Sequence, residues 1–419
     1  MMERLLVIAD DFTGALDTGV QFTDRGAVTQ VVMDPGFDFS KADPEVQVIV
    51  LNMESRHIPT IDAYKLVYRA VENAVKAGIR YIYKKTDSGL RGNIGAELSA
   101  ALEASGRVQM IFAPAFPRLN RNTMGGVHYI DGIPVEESMF GNDPIDPVTK
   151  SRVSDIIRIQ SGIPCVEHGI RDIDFSEDIP GIHIMDASSE EDLRIIAEGL
   201  GKDRLYLCAG CAAFAGVFAQ AIGISGEKSV FPPLPTNLFM ACGSVNPITL
   251  TQMDNGERFD FIRVHLSPEQ KLQREWVGSE EGGKTLRSWI VQAHESGRFI
   301  LDANDPEGST ALQDYMKQRK ITIETVRETI APQVGHIVRA MLDLGLDATL
   351  LCTGGDTLVS FMNEVGINSL RPIAEISTGC VLTSFEYNGK LRYVITKSGG
   401  FGTPDLLLKL CDRIQETNG

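Results

Sequence analysis

Apolar residues recur along this chain in two alternating rhythms. Short runs of strand character appear near 4–9, 28–33, 47–52, 79–83, 108–113, 182–185 and 204–208. Stretches of helical spacing lie between most of them, such as 61–77 and 94–104, where Ile94, Leu98 and Leu102 recur every four residues. This βαβ rhythm predicts a largely parallel sheet covered on both faces. The rhythm breaks over 114–160, a stretch rich in Pro, Gly, Asn and Asp, and loops of that length inside a domain are usually functional. It breaks again at Ser225 to Pro235, where three prolines in four residues favour an extended linker. A domain boundary is expected there, with one domain over 1–228 and a second over 236–419. In the second, strands are predicted at Leu238 to Ala241 and near 258–264, 297–301, 347–352 and 391–396. Helices are predicted near 247–254, 281–295, 322–343, 357–365 and 403–415. The fold class is α/β, as two α/β domains with largely parallel sheets.

Composition narrows the function classes. The 419 residues are 43% hydrophobic, enough to bury two sizeable cores, and no apolar run approaches the length of a membrane span. The formal charge of −16 argues against nucleic acid, whose backbone needs a basic face, but leaves room for a small anion in a locally basic pocket. The start, Met-Met-Glu-Arg followed by a short strand, carries no signal-peptide pattern. Seven scattered cysteines read as reduced thiols, so a cytoplasmic protein is expected. Cys208 and Cys211 have the spacing of a metal or redox pair. No further ligands at matching spacing accompany them, and two small apolar residues at the end of a buried strand is the reading adopted.

The densest chemistry lies in Lys84-Lys85-Thr86-Asp87-Ser88-Gly89-Leu90-Arg91-Gly92-Asn93, read as a loop between a strand and a helix. Its three cations, one carboxylate, two hydroxyls and two glycines suit a small polar anion. The first strand ends comparably, in Asp10-Asp11-Phe12-Thr13-Gly14-Ala15, and others end in Glu54-Ser55-Arg56 and at Arg118 with Arg121. Strand ends of one parallel sheet share an edge, so these groups can converge. Asp10 and Asp11 can equally serve as helix N-terminal acids. In the second half three glycine loops follow strands: Cys242 to Thr249, Thr353 to Thr357, and Lys397 to Gly402. Glycine admits close approach of a phosphate, the next helix start supplies free N–H groups, and an Asp beside such glycines can hold magnesium. Neither the P-loop nor the dinucleotide fingerprint is present in full.

These blocks resemble the four-carbon acid sugar kinases. The resemblance rests on Ala9 to Ala15 with Asp17-Thr18-Gly19, Lys84 to Ser88 with Arg91-Gly92-Asn93, and Pro114-Ala115-Phe116-Pro117. It continues through Gly243-Ser244-Val245-Asn246-Pro247-Ile248-Thr249, Gly354-Gly355-Asp356-Thr357 and Lys397-Ser398-Gly399-Gly400-Phe401-Gly402. Asn246 departs from the Ser common in relatives. The resemblance implies an N-terminal domain that binds the acid sugar, a C-terminal domain that binds ATP with Mg2+, and an active site in the inter-domain cleft. Implied substrate positions are Asp10, Asp11, Arg56, Lys85, Thr86, Asp87, Ser88 and Arg91. Implied nucleotide positions are Ser244, Gly354, Gly355, Asp356, Thr357, Gly399 and Gly400, with Asp356 organising the metal. Asp11 and Asp356 are both candidates for the catalytic base. Arg91, Lys85 and Arg56 are expected to hold the carboxylate.

The implied reaction moves the γ-phosphoryl of ATP to the terminal hydroxyl of a four-carbon sugar acid, with D-threonate favoured over D-erythronate and 3-oxo-tetronate. Its partners are the sugar acid and ATP, with no nucleic acid or membrane, and a homodimer left open. Two rivals stay open at this level. A haloacid-dehalogenase-type phosphatase needs two carboxylates separated by one residue, but position 12 is Phe. A non-catalytic sugar-acid sensor with a nucleotide-binding domain would bind without turnover.

Overall fold

The computed structural model describes residues 4–144, 146–170, 179–227, 230–397 and 400–417. The chain divides into two compact units, Met1–Ser229 and Val230–Gly419. In the first unit the strands are β1 (Leu5–Ala9), β2 (Thr29–Val32), β3 (Val48–Asn52), β4 (Tyr81–Lys85), β5 (Gln109–Ala113), β6 (Arg121–Met124), β7 (Val127–Ile130), β8 (Ile133–Pro134), β9 (Cys165–His168), β10 (Gly181–Met185) and β11 (Leu207–Gly210). The helices are α1 (Phe12–Thr23), α2 (Thr60–Lys76), α3 (Ile94–Ser105), α4 (Val153–Arg158), α5 (Glu190–Leu200) and α6 (Ala212–Ile222).

The main sheet of this unit runs β2-β3-β1-β4-β11-β5-β10-β9, with every pairing parallel. Its central strands are apolar on both faces, as a sheet covered by helices on each side requires. Leu6, Ile8, Ile49 and Leu51 pack against Val67 and Val71 of α2 and Leu98 of α3. Helices α1, α5 and α6 pack together, away from α2 and α3. The chain therefore leaves β1 toward one face and the adjacent β4 toward the other. That reversal is a topological switch point, where open α/β sheets bind ligands. Register places Ala9 level with both Asn52 and Lys85, so β1, β3 and β4 end at one height.

Two expectations need correction here. The strand expected over 79–83 is Tyr81–Lys85, so Lys84 and Lys85 belong to the strand and are buried rather than lying in the loop. Carboxylates packed around them permit this, a compensation that a local reading of polarity does not register. The 114–160 stretch is also more ordered than a loop. It builds the antiparallel sheet β6-β7-β8. Gly125-Gly126 and Asp131-Gly132, all at positive φ, make its two-residue turns, a known hairpin signal.

The second unit contains β12 (Leu238–Cys242), β13 (Ile262–His265), β14 (Arg298–Asp302), β15 (Thr349–Thr353), β16 (Ser369–Ser377), β17 (Cys380–Tyr387) and β18 (Lys390–Lys397). Its helices are α7 (Pro247–Glu257), α8 (Pro268–Leu272), α9 (Glu280–Ser296), α10 (Ala311–Arg319), α11 (Ile323–Asp343), α12 (Gly355–Glu364) and α13 (Leu406–Glu416). The sheet runs β13-β14-β12-β15-β18-β17-β16. The first five strands are parallel, and β17 and β16 extend the sheet antiparallel. Those last two were not expected from apolar pattern, although Asn388-Gly389 between β17 and β18 is a strong hairpin signal. Helix α7 packs with α13, whereas α12 packs with α11, so β12 and β15 form a second switch point. Among the described residues no helix is long and apolar enough to cross a membrane.

Candidate active site

The switch point of the first unit is a lattice of buried charge. Arg56, on the loop after β3, reaches Asp10 with Nε at 2.7 Å and Asp11 with Nη1 at 2.7 Å. Its Nη2 lies 3.8 Å from Asp87. Arg91 grips Asp87 at two points, 2.8 Å and 3.2 Å, and reaches Asp143 at 3.0 Å. The Arg91 fork, expected to face a ligand, is thus engaged by Asp87. Lys84 is fully buried and lies 2.6 Å from Glu97 of α3. Lys85 is buried too, and its ammonium stands 3.8 Å from Asp10.

This crowding sets the protonation states. Burial alone would raise the Asp10 and Asp87 carboxyls. Arg56 and Lys85 outweigh it at Asp10, and Arg56 with Arg91 at Asp87, so both are held below the ordinary carboxylate range. Arg56 is driven upward by its carboxylates despite burial. Burial pushes Glu97 up, with Lys84 opposing. In this cluster Asp10 Oδ1, the Ser55 and Thr86 hydroxyls and Glu97 Oε1 are buried without a hydrogen-bond partner among the described residues, and Lys85 Nζ stands beyond hydrogen-bond distance of Asp10. Buried polar groups are ordinarily satisfied, so these atoms offer hydrogen-bonding capacity to a small polar ligand or to water.

Local backbone choices make the cluster possible. Asp11 caps α1, accepting from Gly14 N at 2.9 Å, and the same side chain meets Arg56, so its capping role does not remove it from the cluster. A Cβ at Gly14 would stand 2.5 Å from Lys85 Nζ and 2.4 Å from Asp11 Oδ1, so glycine keeps that space open. Glu54 and Leu90, each just before a site loop arginine or its neighbour, hold positive φ of 46° and 60° without being glycine. Such strain concentrates at functional sites. Asn93 ties the two loops together, its amide donating to the carbonyls of Ser55 and Ile58 at 2.9 Å each.

Several members of the cluster lie outside the substrate positions that the resemblance implies, although Arg121 is among the strand-end groups expected to converge. Arg121 donates to Ser88 Oγ. His128 is buried, and its Nε2 donates to the Ser88 carbonyl at 3.0 Å while Nδ1 meets the Thr123 hydroxyl. Burial lowers that imidazole to about 4, so it is neutral. The Phe140 ring carries two guanidiniums, Arg91 and Arg121, each 5.0 Å from its centre. Asp143 and Phe140 come from the long 114–160 segment, whose length was the available signal. Arg118 does not join; it is exposed and pairs with Glu190. Phe12 is buried in α1, which leaves no second carboxylate at the spacing a dehalogenase-type phosphatase requires. Cys208 and Cys211 are buried thiols, with burial raising Cys211 to about 11.

At the second unit's switch point the groups are mostly backbone. Loops 243–246 and 354–357 leave adjacent strands and touch. A Cβ on Gly243 would meet Thr357 Oγ1 at 2.4 Å, and one on Gly354, at φ +95°, would lie 3.8 Å from the Ser244 Cβ. The N-termini of α7 and α12 thus open side by side, an arrangement suited to phosphates. Asn304 donates to the Ser244 carbonyl at 3.1 Å and to Asp302 at 2.7 Å, which fixes the first loop. Lys397 is buried at the end of β18, its Nζ 3.0 Å from the Thr249 hydroxyl, and burial lowers it. Asp356 is exposed in the first turn of α12. Gly400 is described, 3.8 Å by its Cβ direction from the Asn246 amide; Gly399 lies outside the described residues. Among the described residues no group of three or more His, Cys, Asp or Glu side chains can hold a metal alone. One exposed carboxylate beside a phosphate cradle nevertheless fits magnesium, which takes phosphate oxygens and waters rather than a full protein cage.

Family models agree with this division. Residues 5–218 match a sugar-binding N-terminal domain and residues 239–407 a nucleotide-binding C-terminal domain. The chain belongs to the four-carbon acid sugar kinase family. Members of this family are phosphotransferases with an alcohol acceptor. Curated relatives in the family include a D-threonate kinase of Salmonella typhimurium, 27% identical over 98% of this chain and 97% of the relative. A D-erythronate kinase of Heliobacterium modesticaldum is 27% identical over 90% and 88%. A 3-oxo-tetronate kinase of Burkholderia multivorans is 26% identical over 96% and 95%. Among solved structures, a Salmonella typhimurium LT2 protein, there called a tRNA synthase, superposes with a TM-score of 0.81 at 21% identity, covering 98% and 99%. A Haemophilus influenzae protein gives 0.74 at 20%, covering 98% and 99%. At those identities the structural likeness speaks for the fold.

Proposed function

We propose that this kinase transfers the γ-phosphoryl of ATP to the 4-hydroxyl of D-threonate, giving D-threonate 4-phosphate. The observation that carries the reading is a pair of buried atoms without a hydrogen-bond partner, Asp10 Oδ1 and Thr86 Oγ1, beside the Lys85 ammonium inside a cationic lattice. A ligand with hydroxyls and one carboxylate meets all three groups. The paired helix N-termini of the second unit support ATP as the donor, with Ser244, Gly354 to Thr357, Gly399 and Gly400 proposed around its phosphates. Curated relatives named D-threonate kinase from Salmonella typhimurium and Bordetella bronchiseptica support that acid in particular.

Phosphoryl transfer depends on positioning and charge neutralisation more than on covalent chemistry. Asp356 would hold magnesium, which neutralises charge on the β- and γ-phosphates when bound. The partly exposed Asp11 accepts the proton of the attacking hydroxyl, while Arg56 keeps it in place from 2.7 Å. Asp87 and Ser88 set the loop that faces the acid, and Arg91 locks Asp87. Transfer requires the 4-hydroxyl of the bound acid to meet the γ-phosphate of ATP in line in the reacting complex.

A coupled ADP-release screen over D-threonate, D-erythronate and 3-oxo-tetronate with Mg-ATP tests the reading. D-threonate is expected to give the highest kcat/KM, and EDTA to stop turnover. Preference for D-erythronate or 3-oxo-tetronate would reassign the substrate within the family. Binding of both ligands with no ADP formed would favour a sensor.

A further inference from the structure

We propose that Arg121, with Lys85, receives the carboxylate of the sugar acid. This inference rests on the function proposed above and moves the carboxylate away from Arg56 and Arg91. Three guanidiniums occupy the N-terminal site, and they are not equivalent. Arg56 serves Asp10, Asp11 and Asp87. Arg91 serves Asp87 at two points and Asp143 at a third. A ligand carboxylate could enter either set only by displacing a protein carboxylate, exchanging one ion pair for another. Arg121 differs. Its described polar partner is a neutral hydroxyl, Ser88 Oγ, and among the described residues no carboxylate lies within ion-pair distance of it.

Arg121 is nonetheless built into place. It begins β6, pairs with Ile130, and exchanges two backbone hydrogen bonds with Phe116 at 2.7 Å and 3.2 Å. Its guanidinium lies over the buried ring of Phe140. Its hydroxyl partner is fixed in turn, because neutral His128 holds the Ser88 carbonyl. Burial lowers Arg121, Asp87 and Asp131 draw it up from beyond ion-pair range, and Arg91 opposes them. The outcome is a rigid, half-buried cation with donors to spare. Planar N–H forks match a carboxylate, which an ammonium meets only as a point charge. Lys85, at the end of β4 just before the loop that carries Ser88, supplies that second charge, and Asp87 feels both cations.

The test pairs a protein variant with a ligand variant. Calorimetric titration of wild type and Arg121→Gln with D-threonate and with its neutral carboxamide isolates the carboxylate contact. Arg121→Gln should bind D-threonate about 10- to 100-fold more weakly. Its affinity for the carboxamide should stay within about twofold of wild type by the same hydrogen-bond reasoning. Arg121→Lys should recover part of the loss, since it keeps charge without the fork. Unchanged ATP binding in both variants shows that they are folded. Equal weakening for acid and amide would make Arg121 a support for Ser88 only and overturn the inference, as would wild-type affinity for the acid in Arg121→Gln. If wild type binds none of the four-carbon acids, the functional reading falls together with this one. If wild type turns over the acid and Arg121→Gln matches it, this inference falls alone.

Discussion

At the carboxyl edge of the first sheet, β1 and β4 deliver side-chain charge: Asp10, Asp11, Lys85 and Asp87, interlocked by Arg56 and Arg91. At the equivalent edge of the second sheet, β12 and β15 deliver peptide groups, glycines and two helix starts. The strand order around both edges is the same, β2-β3-β1-β4 in one and β13-β14-β12-β15 in the other. Equal topology therefore fixes where a ligand binds and leaves open which ligand it is. A small acid with hydroxyls needs a specific charge pattern, which side chains supply. A polyphosphate needs dense, uniform donors, which backbone N–H groups supply at no side-chain entropy.

The comparison can be broken most severely at the second edge. Gly354→Val places a β-branched residue at φ +95°. Calorimetry should show no ATP binding, with D-threonate affinity intact. Retained ATP affinity would reduce Gly354 to a turn residue.

At the first edge, Asp11→Asn keeps the cap on α1, because Asn caps as well as Asp. Activity should fall about 10²- to 10⁴-fold if Asp11 is the base, with ATP binding unchanged. Asp356→Asn should instead lose activity with an altered preference between magnesium and manganese. Should Asp356→Asn bind Mg-ATP normally and lose only the chemical step, the two roles are exchanged.

The charged edge also carries a stability cost that the peptide edge lacks. Lys84→Met leaves Glu97 buried without its cation and should destabilise the protein by about 3–5 kcal/mol at neutral pH. Burial raises the folded Glu97 above its unfolded value. The native variant therefore holds the proton more tightly, and its stability should fall as pH rises through that window. Urea denaturation at pH 5 and pH 8 measures the difference, and adding Glu97→Gln should remove the pH dependence. Asp10 and Asp87 act in the opposite sense. Their folded values lie below the unfolded one, so their contribution is complete above about pH 4 and lost as acid carries them through their folded values. Hydrogen exchange on acidification should open the Asp10 and Asp87 loops before the 354–357 loop; simultaneous opening would deny the contrast.

The smallest effect concerns support of the peptide edge. Asn304→Ala removes the 3.1 Å bond to the Ser244 carbonyl. One hydrogen bond is worth about 0.5–1.5 kcal/mol, so KM for ATP should rise about two- to tenfold with kcat little changed. An unaltered KM would mean that the loop holds its shape without Asn304.

The α/β class, the restart of the rhythm after the prolines, and the loops carrying Asp10, Arg56, Asp87, Ser244 and Gly354 follow from the chain alone. Each is a local property: alternation, glycine placement, or polarity at a strand end. The burial of Lys84 and Lys85 inside β4 was not legible, because Glu97 and Asp10, which make it tolerable, are distant in sequence. The β6-β7-β8 sheet and the antiparallel extension are announced by Gly-Gly, Asp-Gly and Asn-Gly pairs, yet β6 to β8 are short and β16 is only partly buried, and none of these shows a clear apolar period. Arg56, Arg91 and Arg121 look alike in sequence. Tertiary structure decided that two of them are enclosed by carboxylates and the third is not, because an ion pair is set by distance in space. Asp87 is a sequence neighbour of Arg91, but Asp143 reaches Arg91, and Asp10, Asp11 and Asp87 reach Arg56, from segments distant in sequence.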